Sequence, residues 1–291
     1  MSLAIVYTRA ALGIEAPLIT VEVHLSNGLP GLTMVGLPET TVKEARDRVR
    51  SALINSGYAF PAKKITINLA PADLPKEGGR YDLPIALALL VASEQLNTTR
   101  LNQYEFVGEL ALTGGLRGVP GAIPSAMEAI KAGRRIVVSS DNAAEVGLIG
   151  GSDCLVADHL QEVCAFLAGQ TSLSPPLAEA PTVDERGEDL RDVIGQQQGK
   201  RALEIVAAGG HNLLLIGPPG TGKTMLASRL PGLLPPLSNQ EALESTAIQS
   251  LVNLHTAKTR WRQRPFRAPH HSASLAAMVG GGSIPVPGEI S

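Results

Sequence analysis

The sequence predicts an α/β protein in which a domain with a mixed sheet is followed, after a linker, by part of a phosphate-loop domain. Strand and helix patterns alternate through residues 1–170, and a glycine-rich segment at 217–224 lies between a short apolar run and a helical pattern. Residues 171–188 contain three prolines, several acidic residues and few large apolar side chains, which is typical of a linker. The second domain is therefore assigned to residues 189–291.

The first domain is predicted from changes in the spacing of its apolar residues. A period of two predicts a strand at 21–25, and a short apolar run predicts another at 32–35. Helical spacing predicts an amphipathic helix at 39–56, which Gly57 ends. By the same criteria we expect a strand at 64–69, a buried helix at 81–96, a strand at 106–112, a helix at 125–131, a strand at 136–138, and a final helix, strand and helix that end near residue 169.

Composition limits the class of protein. The chain has 291 residues and a formal net charge of −2, so it can form two ordinary domains, and any nucleic-acid contact must be a local patch. Cys154 and Cys164 are expected to be reduced core thiols, and not a disulfide or a zinc site. The longest apolar stretch, 83–92, is too short to span a bilayer, and no basic segment precedes residues 3–6 as in a signal peptide. We expect a cytoplasmic protein.

The segment 217–224 has the composition of a phosphate-binding loop. Its glycines would let successive backbone N–H groups curl around phosphate oxygens, after a buried strand at 213–216 and before a helix. Lys223 would reach the β- and γ-phosphates, and the Thr224 hydroxyl would bind Mg²⁺. An ordinary turn would not need Lys-Thr after the last glycine. The predicted nucleotide-binding residues are Gly217, Pro218, Pro219, Gly220, Thr221, Gly222, Lys223 and Thr224.

Two basic stretches could contact nucleic acid. Lys43, Arg46 and Arg50 lie on one face of the helix at 39–56, but neighbouring acidic residues make a solvated mixed-charge face the alternative. The window 256–272 has no acidic residue, and its cations and aromatic rings suit single-stranded nucleic acid or a neighbouring subunit. Its cations and rings are Lys258, Arg260, Arg262, Arg264, Arg267, Trp261 and Phe266.

A metal site in this window is not expected. His270 and His271 are adjacent, so their side chains should diverge, and His255 is the one further histidine nearby.

Helices are expected at 197–208 and 239–246 on either side of the glycine-rich segment.

Several segments outside the glycine-rich loop resemble one family. They are 192–196, 207–216, 264–272 and 280–291 in the second domain, and 28–31 and 35–39 in the first. Together with the loop at 217–224, they resemble the magnesium-chelatase-like branch of AAA+ ATPases, and within it the YifB/ComM family, over nearly the whole chain.

The resemblance implies a function. It implies bacterial cytoplasmic ATPases that use ATP and Mg²⁺, form hexameric homo-oligomeric rings on single-stranded or branched DNA, and promote branch migration in the recombination of incoming DNA. It also places the 193–195 region beside the adenine, a role that we assign to Ile194. Two alternatives stay open: a chelatase-type motor that drives a partner, and a non-catalytic binding or oligomerisation module.

The first domain also resembles the proteolytic domain of Lon, a two-layer fold of the ribosomal-protein-S5 type. The Lon nucleophile lies in a Pro-Lys-Asp-Gly-Pro-Ser run, whereas the matching run here is 75–80 and ends in Arg80. Counting from 108–110 without gaps places Ile123 at the position of the partner lysine. A Ser–Lys dyad needs a hydroxyl and an unprotonated amine, so protease activity is not expected.

Hydrolysis of ATP needs further groups. An apolar strand that ends in acidic residues and an arginine from a neighbouring subunit are both required, and no such strand follows Thr224. The family places this strand just after a Gly-Glu-Ile-Ser segment, which here is 288–291. We therefore expect a C-terminally truncated chain with no complete catalytic set, an incomplete ATPase domain with open sheet edges, and no activity alone.

Overall fold

A seven-stranded mixed sheet organises the first half of the computed structural model, which describes residues 3–39, 42, 44–176, 188–251, 261–281 and 286–290. Its strand order is β3-β4-β2-β1-β5-β8-β9, and the pairs β4/β2 and β2/β1 are antiparallel while the other four are parallel. The strands of this half are β1 (Leu3–Arg9), β2 (Leu18–Ser26), β3 (Gly31–Val35), β4 (Lys64–Ala70), β5 (Tyr104–Phe106), β6 (Glu109–Leu110), β7 (Leu116–Arg117), β8 (Arg135–Ser139) and β9 (Cys154–Ala157). The predicted α/β class and mixed sheet are confirmed.

Among the described residues of this half, five α-helices have defined bounds, and the second of them forms the centre of the core. They are α1 (Ala45–Asn55), α2 (Asp82–Ala92), α3 (Ala122–Lys131), α4 (Ala143–Val146) and α5 (Leu160–Leu167). Helix α2 packs on β1 and β2, and α1 packs on α2. All but one of the residues of α2 are buried, as its sequence, apolar throughout after Asp82, predicts.

The register of β2 shows how alternation builds this core. Val21 pairs with Val6 and Leu69, and Val23 pairs with Ala4 and Ile67, so one apolar face runs across three strands. At the other end of the sheet, Ile136 and Val138 of β8 belong to a second cluster under α3 and α4, while Val137 belongs to the main core. Both faces are covered there, which agrees with the continuous apolar run in β8.

Two sequence-based boundaries in this half are wrong. The predicted strand at 106–112 is interrupted after Phe106, because the Gly108 N–H donates to the Arg80 carbonyl and draws the chain out of the sheet. The buried helix ends at Ala92 and not at 96. The start of the amphipathic helix predicted at 39–56 stays a prediction, because residues 40, 41 and 43 lie outside the described residues. Cys154 and Cys164 are buried free thiols, and burial raises the pKa of each to about 11.

The second half of the chain forms helices around a small core. Its elements are α6 (Gln197–Gly209), α7 (Lys223–Ser228), α8 (Leu230–Leu233), α9 (Asn239–Ser250), α10 (Leu275–Val279), β10 (Gly280–Gly281) and β11 (Val286–Pro287). The helices predicted at 197–208 and 239–246 are confirmed. Leu190, Val193, Leu203 and Leu226 are buried together at the centre of this core.

The buried strand predicted at 213–216 is wrong. These residues are not assigned to a strand, and Leu214 and Ile216 are 79% and 86% exposed. A strand needs a neighbour to satisfy its backbone and to cover its side chains. Between 188 and 290, the strands among the described residues are the two-residue β10 and β11, which pair with each other.

Helix α9 joins the second half of the chain to the first. The Gly121 N–H, just before α3, donates to the Ser250 carbonyl at 2.9 Å. Leu148 packs against a cluster that contains Leu237 and Trp261.

Most of the predicted linker, 177–187, lies outside the described residues, so the domain boundaries stay predictions. No helix in the described ranges is long and apolar enough to cross a membrane.

Candidate nucleotide-binding site

The loop 217–222 has the backbone that the glycine pattern predicts. Gly220 and Gly222 have φ values of +82° and +81°, a region that other residues adopt only with strain. A Cβ on Gly217 would lie 3.2 Å from the Thr221 hydroxyl oxygen, which is tighter than an ordinary contact. The loop therefore has a curled backbone, and Gly217, Gly220 and Gly222 carry no side chains that would keep a phosphate from its N–H groups.

Lys223 lies at the end of this loop and turns back onto it. Its Nζ donates to the carbonyl oxygens of Gly217 and Pro218, both at 2.8 Å, and lies 3.4 Å from the Thr221 Oγ1. The Thr221 hydroxyl in turn donates to the Pro218 carbonyl at 2.9 Å. The ammonium group thus lies against the curled backbone, and Thr224 is exposed in the first turn of α7.

The segment before α6 supports the loop. Val193 is buried with Leu203 and Leu226, whereas the side chain of Ile194 is 95% exposed. Ile194, the residue predicted to contact the adenine, is thus an apolar side chain that the core leaves available.

Two residues of the site could not be assigned from sequence alone. The Gln196 side-chain amide donates to the Thr221 carbonyl at 3.2 Å, and its own backbone has a φ of 53°. A Cβ on Gly199 would lie 2.9 Å from the Leu226 Cδ1, so α6 approaches α7 closely at this glycine. The glycine inside a helical pattern is the sequence signal that could have identified Gly199, whereas the left-handed backbone of Gln196 is visible only in the structure.

The described part of the basic window, residues 261–272, makes several intrachain contacts. Trp261 is buried against Leu237 and Leu148, so the structure contradicts a role for this ring in stacking on bases. Arg262 Nε and Arg264 Nε donate to the Leu237 and Pro235 carbonyls, each at 2.8 Å.

Two further residues of this window, Arg267 and Phe266, lie in the described part of the chain. Arg267 lies 3.7 Å from a Glu289 carboxylate oxygen, and Phe266 is exposed. Lys258 and Arg260 lie outside the described residues.

The two adjacent histidines do not diverge as expected. The rings of His270 and His271 lie 4.2 Å apart, and the Nδ1 of His270 is 2.6 Å from the Ser272 hydroxyl. His255 lies outside the described residues. Within the described part of the chain, no group of three potential metal ligands is found.

The residue that the predicted resemblance to Lon aligns with the nucleophile, Arg80, is a buried arginine. Arg80 donates from NH1 to the Arg9 carbonyl at 3.4 Å and from NH2 to the Pro120 carbonyl, and burial lowers the pKa of its guanidinium group. Ile123 is buried in α3. Neither residue provides a hydroxyl nucleophile or an amine base.

Comparison with known proteins gives consistent matches over the whole chain. A family described as magnesium chelatase, subunit ChlI, matches residues 189–291, and one described as subunit ChlI of Mg-chelatase matches residues 21–142. YifB from Salmonella typhimurium and YifB from Escherichia coli are 77% and 75% identical over 291 residues. The competence protein ComM from Haemophilus influenzae is 58% identical over 296 residues. Each alignment covers 100% of this chain and 58% of the relative.

Proposed function

The chain belongs to the YifB/ComM family of magnesium-chelatase-like AAA+ proteins, and from this premise we propose that it is the ATP-binding portion of an ATPase that acts on DNA. The observation that carries the proposal is the curled loop 217–222 with Lys223 against its backbone. An ATPase must first bind ATP, and a loop of this kind is where the phosphates of ATP would bind.

The site residues have distinct roles in this proposal. Lys223 exchanges the Gly217 and Pro218 carbonyls for phosphate oxygens of ATP, which a cation on a flexible stem can do without backbone movement. The N–H groups of the loop bind the phosphates, and the Thr224 hydroxyl holds Mg²⁺, which neutralises phosphate charge when bound. Ile194 covers the adenine, since its side chain is apolar and exposed.

Turnover requires groups that the 291 residues do not supply. No apolar run that ends in adjacent acidic residues occurs between 225 and 291. We therefore propose that these residues bind ATP without hydrolysing it, and that hydrolysis requires an acidic strand end together with a neighbour's arginine. The chain covers 58% of the length of its relatives.

The action on DNA is proposed from the family. The family resemblance supports a cytoplasmic hexameric ring that promotes branch migration, and one relative is described as a competence protein. In a chain of the relatives' length, we expect ATP hydrolysis that DNA stimulates and that Lys223→Ala abolishes. Lys131→Ala, an exposed lysine of α3, is the control and should leave turnover unchanged. Undiminished turnover in Lys223→Ala would exclude the assignment.

A chelatase-type motor is the second candidate, because both matching families are described as chelatase subunits. The 58% identity to the competence protein ComM, over the whole of this chain and 58% of ComM, favours the DNA-acting candidate. Capture experiments with branched DNA and with a porphyrin-handling subunit distinguish the two. A role in binding or oligomerisation alone would show as an oligomer in native mass spectrometry together with no nucleotide binding.

A further inference from the structure

A pocket of about 360 Å³ lies at the β3 edge of the sheet, far in sequence from the nucleotide loop. Strand β3, helix α1 and the segment 60–63 before β4 enclose it, and we name it the β3–α1 pocket. The Gly31 N–H donates to the Lys63 carbonyl, which connects the segment to the edge strand. Ile65, which is buried, contributes to its apolar lining.

Positive charge is concentrated around this pocket. Arg46 and Arg50 come from one face of α1, and Lys63 comes from the segment before β4, so the fold joins cations that are distant in the sequence. Among the described residues that line the pocket, Asp47 is the one acidic residue, and it pairs with the Arg46 Nε at 3.0 Å. The lining therefore has an excess of positive charge, although the whole chain has a net charge of −2.

An aromatic ring lies among these cations. The guanidinium carbon of Arg50 lies 5.2 Å from the centroid of the Phe60 ring, which orients the cation over a half-buried apolar surface. Cations that bind phosphates beside a ring or a guanidinium plane on which a base can stack are the features of single-strand binding surfaces. A double helix presents stacked bases, so it could use the cations but not the ring.

We propose that the β3–α1 pocket binds single-stranded DNA, with Arg46 and Lys63 on backbone phosphates and with a base stacked on the Arg50–Phe60 pair. This inference deepens the DNA action proposed above and rests on it. The site is separate from the basic window at 256–272, whose Arg262 and Arg264 bind backbone carbonyls of their own chain.

The test measures the binding of a fluorescently labelled oligothymidylate to the 291-residue chain by anisotropy over a range of salt concentrations. Loss of one single-strand phosphate contact lowers the slope of log K against log salt by about 0.7. For Arg46→Gln combined with Lys63→Gln, we expect weaker binding and a slope reduced by about 1.4. The matched control is Arg117→Gln combined with Lys131→Gln, which removes two exposed, acid-paired cations elsewhere in the same domain and should change neither quantity.

A second variant tests the stacking surface. Phe60→Leu keeps an apolar side chain against the core and should weaken binding by about five-fold or more at an unchanged salt slope. Thermal unfolding of each variant verifies that the fold is retained.

Three results would overturn the assignment. The first is a slope of log K against log salt that does not change in Arg46→Gln combined with Lys63→Gln, or a loss of binding that is equally large in the control variant. Either result would remove the pocket as the binding site but would leave the proposed DNA action in place. The second is tighter binding of a duplex of the same length than of the single strand. The third is a wild-type chain that does not bind the oligothymidylate, which would remove the DNA action as well but leave ATP binding at Lys223 unaffected.

Discussion

Glu145 in α4 is predicted to make folding stability depend on pH. Its side chain is 2% exposed, its Oε1 has no hydrogen-bond partner among the described residues, and its Oε2 accepts from the Asn142 amide at 3.3 Å. Desolvation raises its pKa from 4.5 to about 7, against the smaller opposing effect of the Asn142 hydrogen bond. The charged form is therefore less favourable in the folded state than in the unfolded chain.

The sign follows from this direction. Because the folded-state pKa is the higher one, the neutral group favours folding fully below pH 4.5, and that contribution is lost as the pH rises through 7. The shift from 4.5 to about 7 at 1.36 kcal/mol per unit corresponds to about 3 kcal/mol. Most of this difference, about 2.5 kcal/mol, should develop between about pH 5 and pH 8.

The variant Glu145→Gln isolates the effect. It cannot ionise, so its free energy of unfolding relative to wild type should rise by about 2.5 kcal/mol between about pH 5 and pH 8. Urea unfolding at the two pH values measures the difference, and Glu15→Gln, an exposed acid, is the control that should show no such rise. An equal difference at both pH values would refute the assignment of a buried, desolvated carboxylate at this position.

Three further predictions concern packing and the nucleotide loop. Leu148→Ala should red-shift the emission of Trp261, the one tryptophan of the chain, and reduce stability by about 2 kcal/mol, as fluorescence-monitored unfolding can measure. Gly199→Val should force α6 away from Leu226 and cost about 1–3 kcal/mol, measured by thermal unfolding. Gly222 has a φ of +81°, so Gly222→Ala should weaken ATP binding, as calorimetry can measure, and should have only a small effect on the melting temperature.

The sheet of the first domain could be predicted because its signals are local. Alternation in β2 and the apolar run that follows Asp82 in α2 each specify an element by its own residues, and tertiary packing then supports that element. The strand predicted at 213–216 failed because a short apolar run needs neighbours that local sequence does not supply.

The candidate site was predicted in part for the same physical reason. The glycines at 217, 220 and 222 indicate positions where a positive φ or a close contact excludes a side chain, and the loop adopts this backbone without help from distant residues. Composition predicts contact of Trp261 with bases or with a neighbouring subunit because it gives no indication of burial, whereas Leu148, more than one hundred residues away in the sequence, covers the ring. Lys63 joins Arg46 in one pocket only because β4 lies beside β3 in the sheet.

Calorimetric titration of the 291-residue chain with ATP and Mg²⁺ tests the proposed nucleotide site most directly. The account predicts that the wild-type chain binds ATP at one site and that Lys223→Ala loses this binding. Thr224→Val should bind ATP more weakly than the wild type does when Mg²⁺ is present. The control Lys131→Ala should bind ATP as the wild type does. Binding of equal affinity by the wild type and Lys223→Ala, or no binding by either, would contradict it.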